Sequence, residues 1–265
     1  MNTKAFILTA IAASAVCGCA PKQGTRSIIV YYSATGTTGT VAKLFQEKTG
    51  ADIVEILTSE PYDTEYNALI EQYQKEMKAG ITREIQPIDV NFDNYDVIYL
   101  GSPVWFGHCC GPVESFLKNY DLKGKTIIPF FTFGSGGNTA VDMVEKYQPE
   151  AEIPAWYGVR AARIEKADAE IDTFLVGLGI LEGDIVELPE YSQEREPDDT
   201  EKAVFDEACG SYPMPLGTPV AVSSRETADS DQYIFKTESD SGNASYIYVT
   251  RPKSGGVAEF TQVVR

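Results

Sequence analysis

Residues 33–38 read Ser-Ala-Thr-Gly-Thr-Thr, after the apolar run 27–32 and before Val41, Leu44 and Phe45 at helical spacing. A strand, such a loop and then a helix make an arrangement that binds phosphate. Free backbone N–H groups and hydroxyls converge there, where the helix dipole favours an anion. The loop carries no lysine, so it fails the nucleoside-triphosphate pattern, and Gly36-Thr37-Thr38-Gly39 fails the dinucleotide pattern G-x-G-x-x-G. A monophosphate fits better. The competing reading of this segment alone is a threonine-rich helix start that caps itself.

Two more loops follow apolar runs in the same way. Gly101-Ser102-Pro103-Val104-Trp105-Phe106-Gly107 follows 95–100, and Thr132-Phe133-Gly134-Ser135-Gly136-Gly137 follows 126–131. In an open parallel sheet, loops at the carboxyl ends of strands face one crevice where the strand order reverses. Trp105 offers a flat face for a planar ligand, worth about 0.5–1.5 kcal/mol beyond area burial, unless it packs into the core. His108, the single histidine, adjoins Cys109 and Cys110. Adjacent positions rarely give a Cys-His pair its working geometry, and a metal needs further ligands at suitable spacing. Neither a catalytic side chain nor a metal site is expected, and packing is the reading for the two thiols.

The elements that must position these loops alternate. Strands are expected at 27–32, 51–57, 95–100, 126–131 and 156–161, and helices from 41, at 63–79, 112–120, 139–147 and 167–178. Asp63 or Thr64 is expected to cap the second helix, and Gly80 to stop it. Continuous apolar strands between amphipathic helices predict a parallel sheet covered on both faces, the α/β class.

These residues resemble the flavodoxin family. Its first loop reads Ser/Thr-x-Thr-Gly-x-Thr, matched in full by Ser33, Ala34, Thr35, Gly36, Thr37 and Thr38. Its third strand ends in a Gly-x-Pro turn with an aromatic residue and glycine, as at Gly101 to Gly107. The resemblance implies a flavodoxin-like, doubly wound sheet of five strands in the order 2-1-3-4-5. It also implies FMN held non-covalently by the first loop, by Ser102, Pro103, Val104, Trp105, Phe106 and Gly107, and by Thr132, Phe133, Gly134 and Gly137. The third loop departs from the commoner Thr-Ser-Gly-Gly-Ser-Gly order.

The domain expected from this pattern covers 26–183, followed by a polar, acid- and proline-rich linker at 184–199 and a small α+β domain at 200–265. In that last part a helix capped by Asp198, Asp199 or Thr200 precedes four strand-like runs with turns at 240–243 and 252–256. No chemistry is visible in it.

Residues 1–19 read as an address. Lys4 is followed by an apolar run from Ala5 to Val16, too short to span a bilayer. Val16-Cys17-Gly18-Cys19 resembles a bacterial lipobox with Cys19 as the lipidated residue, which implies an extracytoplasmic lipoprotein, anchored in the periplasm or at the cell surface. Twenty-two basic against thirty-nine acidic residues give a net charge of −17, which repels phosphate backbones and makes nucleic acid an unsuitable partner.

The leading expectation is an FMN-binding electron carrier serving a redox partner protein or a small electron acceptor. The alternatives are an FMN-dependent NAD(P)H or quinone reductase, and a non-catalytic surface module built on a flavodoxin-like scaffold.

Overall fold

The computed structural model describes residues 24–63, 65–136, 139–239 and 242–265. The chain divides into two compact units, with the boundary between Val186 and Glu187.

The first unit is built on β1 (Ser27–Tyr31), β2 (Asp52–Glu55), β3 (Val97–Trp105), β5 (Thr126–Phe133) and β6 (Tyr157–Arg160), all parallel, in the order β2-β1-β3-β5-β6. A two-residue strand β4 (His108–Cys109) folds back antiparallel on β3. Without β4, the order is the expected 2-1-3-4-5. The direction of winding reverses between β1 and β3, which opens a crevice at the carboxyl ends of those strands.

Strand alternation builds two cores. Ile28 and Val30 join Ile98, Leu100, Ile127 and Phe131 on one face, and Ile29 and Tyr31 join Tyr99, Ile128 and Phe130 on the other. Helices α2 (Tyr66–Ala79), α3 (Gly111–Asn119) and α4 (Ala140–Tyr147) cover the first face through Leu69, Tyr73, Val113, Phe116 and Val144. Helices α1 (Thr37–Thr49) and α5 (Ala167–Gly177) cover the second through Val41, Phe45, Ile171 and Phe174. Phe45 is fully buried and stacks on Phe130 at 4.8 Å between ring centroids. Truncating such a ring to alanine costs about 3–5 kcal/mol.

Helix α1 stops at Gly50 and α2 at Gly80, both left-handed with φ of 67° and 65°, the conformation glycine adopts without strain. The start of α2 differs from expectation. It begins at Tyr66 after Glu65, with no side-chain cap, because the Asp63 carboxylate accepts the Glu65 N–H in a turn just outside the helix. Thr64 lies outside the described residues.

The second unit consists of α6 (Asp199–Cys209) and an antiparallel meander of β7 (Thr218–Glu226), β8 (Ser230–Glu238), β9 (Ala244–Pro252) and β10 (Glu259–Val264). Asp198 caps α6 in a reciprocal box with Glu201. Its core gathers Val204, Phe205, Val222, Phe235, Ile247 and Phe260. The expected linker at 184–199 is only partly one. Ser192 and Arg195 pair with Ser224 and Val222 along the outer edge of β7, and Arg195 forms a two-pronged pair with Glu201. A polar composition hid a segment that satisfies a sheet edge through its backbone. At the expected 240–243 turn, Asp240 and Ser241 lie outside the described residues.

Candidate functional site

Three connections leave the carboxyl ends of β1, β3 and β5 on the same side of the sheet. The first is 32–36. Gly36 sits at the N-cap of α1 with φ of 86°, supplies no side-chain cap, and no acidic residue follows in the first turn. The helix start therefore keeps its partial positive charge. Thr35 and Thr37 place their hydroxyls 3.4 Å apart at the exposed rim. Ser33 is engaged otherwise: its Oγ accepts the Gly39 N–H at 3.1 Å, so the loop is partly self-capped. Ala34 packs against the core. Thr38, expected at the rim, is buried, and its hydroxyl pairs with that of Thr132 at 2.7 Å. That bond ties the first connection to the third.

The second connection is much shorter than expected. Strand β3 continues through Gly101-Ser102-Pro103-Val104 to Trp105, and the chain turns only at Phe106 and Gly107, with φ of 51° and 83°, between the paired residues Trp105 and His108. Two central residues of positive φ make this a two-residue primed hairpin turn, of the kind usually built from Asn-Gly. Pro103 lies in register with Thr132, and Val104 pairs with Cys109. Ser102 is a correction to the expected rim position. It is fully buried and bonds inward, accepting the Cys110 N–H at 3.1 Å and donating to the Pro103 carbonyl.

Trp105 is the second correction. Its ring is 9% exposed and packed edge-on by Tyr32, Tyr62 and Tyr73 at centroid distances of 6.1, 5.1 and 5.0 Å. The aromatic surface open at this turn belongs to Phe106, 50% exposed and stacked at its inner side on Tyr73 of α2 at 6.1 Å. A non-glycine residue held in the left-handed region is uncommon, and for a bulky side chain it is a genuine outlier that clusters at functional sites. Phe106 is the only such residue described. The positive φ of the following glycine and its hydrogen-bonded carbonyl come from tertiary pairing, so only the Phe-Gly dipeptide signalled the turn.

The third connection, after Phe133, runs through Gly134 and Ser135. Phe133 is buried, Gly134 is exposed, and Gly137 lies outside the described residues. Arg160 of β6 donates from Nε to the Gly134 carbonyl at 2.9 Å. At the other end, the Thr139 hydroxyl donates to the Gly107 carbonyl, and the Cys109 thiol donates to the Ala140 carbonyl at 3.4 Å. All three connections are thus joined by side-chain bonds.

Cys109 and Cys110 are buried and carry free thiols, and burial pushes both upward, Cys110 to about 12. They are neutral packing residues at ordinary pH. His108 is exposed beside them, and no cluster of metal-ligating side chains occurs among the described residues.

A family model described as Flavodoxin matches residues 26–157. A candidate flavoprotein of Bacteroides uniformis is 26% identical with a TM-score of 0.50, covering 56% of this chain and 99% of its own. A candidate flavoprotein of Bacteroides eggerthii, also 26% identical, covers 56% and 96% with a TM-score of 0.47. A flavoprotein of Lactobacillus acidophilus, solved in complex with FMN, is 25% identical and covers 56% and 97% with a TM-score of 0.46. No curated protein matches the chain.

Proposed function

We propose that the N-terminal domain, which belongs to the flavodoxin family, binds FMN at the crevice between β1 and β3 and serves as an electron carrier. The observation that carries this reading is the start of α1. Its N-cap is a glycine with no side chain to offer, no acid stands in its first turn, and the hydroxyls of Thr35 and Thr37 border it, a donor set suited to a phosphate monoester dianion. The residues present fit the group: Thr35, Thr37 and the first N–H groups of α1 would hold the phosphate. The Phe106 ring and the backbone at Gly107 and Gly134 would border the planar part.

Bound FMN supplies one- and two-electron chemistry that no side chain here provides. The protein's own contribution is positional. The bonds from Thr38 to Thr132 and from Thr139 to Gly107 hold the walls in place before binding, which reduces the ordering cost of association. The buried aromatic group of Tyr32, Tyr62, Tyr73 and Trp105 keeps water from the floor beneath Phe106. No acid or base is required of the chain, consistent with neutral thiols and an exposed histidine.

The net charge of −17 favours a basic redox partner at close approach. The lipobox-like Val16-Cys17-Gly18-Cys19 supports lipidation at Cys19 and an extracytoplasmic, membrane-anchored location; these residues lie outside those described.

The test is an FMN titration followed by flavin fluorescence quenching, with Thr35→Ala as control. Loss of a hydrogen bond to a charged group costs about 1.5–3 kcal/mol, so the variant should bind at least about tenfold more weakly. Wild-type protein that fails to quench FMN sinks the proposal. Steady NADPH oxidation by the FMN-loaded protein alone would favour the reductase.

A further inference from the structure

We infer that Arg160 is a positioning residue of the flavin site, fixing the third connection and placing a cation beside it; this rests on the FMN reading above.

Arg160 ends β6, the last parallel strand, in register with Phe133 of β5. One residue beyond that register, its Nε donates to the Gly134 carbonyl at 2.9 Å. The strand is held firmly enough to aim it. A Cβ on Gly158 would meet the rings of Trp156 at 2.7 Å and Phe133 at 2.8 Å, so only glycine lets β6 lie this close to Phe133. Arg160 stands two residues further along the same strand, with its side chain on the same face.

The consequence is electrostatic as well as geometric. The third connection borders the proposed site, in a protein of net charge −17. Reduction adds negative charge to a bound flavin. A fixed guanidinium held at Gly134 therefore stabilises the reduced cofactor more than the oxidised one. Arg163, three residues further on, is held by Glu170 at 2.9 Å. A neutral replacement removes both the clamp and the charge, and a lysine returns the charge without the planar donor that reaches the carbonyl.

The test uses the full chain with FMN, comparing wild type, Arg160→Gln and Arg160→Lys. The readouts are the dissociation constants of oxidised and reduced FMN, the midpoint potential, and the far-UV spectrum of the unloaded protein. In Arg160→Gln, reduced FMN should lose about tenfold more affinity than oxidised FMN, a fall of about 30 mV for a two-electron couple. Arg160→Lys should recover most of that potential while still binding both forms more weakly than wild type. Equal loss in both redox forms for Arg160→Gln, or a lysine variant as low in potential as the glutamine variant, would overturn the inference. Wild-type protein that binds no FMN would overturn it together with the FMN reading, whereas tight wild-type binding with unshifted variants would overturn the inference alone. If Arg160→Gln fails to fold, the lysine variant decides the geometric half: binding equal to wild type overturns it.

Discussion

The hydroxyls of Thr38, in the first turn of α1, and Thr132, at the end of β5, lie 2.7 Å apart in the buried interior, joining residues 94 positions apart in the chain. Each satisfies the other where water does not reach. The bond locks the start of α1 to the third connection, so two walls of the proposed site are assembled by folding rather than by ligand.

Thr38→Val or Thr132→Val alone leaves one buried hydroxyl without its partner and should destabilise by about 1–3 kcal/mol. The double variant should cost less than the sum of the two, since it removes both polar groups while keeping their shape. Urea denaturation of the three variants measures this; strictly additive losses would mean that the two hydroxyls do not act as a pair.

Phe106 sets opposing terms against each other. Its left-handed backbone costs roughly 1–2 kcal/mol, and its stack on Tyr73 returns about 0.5–1.5 kcal/mol. Phe106→Gly should therefore fold within about 1 kcal/mol of wild type while binding FMN more weakly. Gly107→Ala has no such offset: the positive φ and a Cβ 3.1 Å from the Thr139 hydroxyl should cost about 1–2 kcal/mol. Denaturation midpoints and flavin titration separate the effects, and a Phe106→Gly variant with wild-type affinity would remove Phe106 from the site.

Burial raises the Cys109 and Cys110 thiols and the Tyr99 phenol above their ordinary values. In the unfolded chain the thiols ionise near pH 8.5, so above about that pH the folded state holds more protons than the unfolded one. Stability contributed by these groups is complete below that pH and should fall as pH rises, by up to about 1.4 kcal/mol per pH unit for each group kept protonated. Urea midpoints between pH 7.5 and 10 test the slope. Maleimide labelling of native protein at pH 8, mapped by mass spectrometry, should leave both thiols unmodified.

Lipidation at Cys19 predicts that Cys19→Ala moves the protein from the membrane fraction to the soluble one. Unchanged membrane association would point to Cys17 or to an uncleaved apolar segment as the anchor.

Much of the fold was legible because its causes are local. The continuous apolar run of β1, the helical spacing of Val41, Leu44 and Phe45, and the stop at Gly80 are properties of short segments, and each appears where the pattern puts it. That 33–38 joins a strand to a helix was legible for the same reason, whereas the inward turn of Ser33 to Gly39 and of Thr38 to Thr132 was not. Trp105 and Ser102 were misplaced because Gly-Ser-Pro reads as a turn. Pairing with β1 and β5 holds that segment extended, and backbone hydrogen bonds from two neighbouring strands outweigh a local preference.

The sequence by itself determined the α/β class and the placement of the alternating strands and helices, set by side-chain period and backbone freedom within a few residues. The tertiary structure decided which aromatic is open and which is buried. Trp105 and Phe106 are neighbours of similar chemistry, and only Tyr32 just after β1, Tyr62 ahead of α2 and Tyr73 within α2 enclose the first. It also decided that Thr38 meets Thr132 and that Arg160 meets Gly134. Such contacts depend on strand register and helix packing between distant segments, which no local pattern encodes.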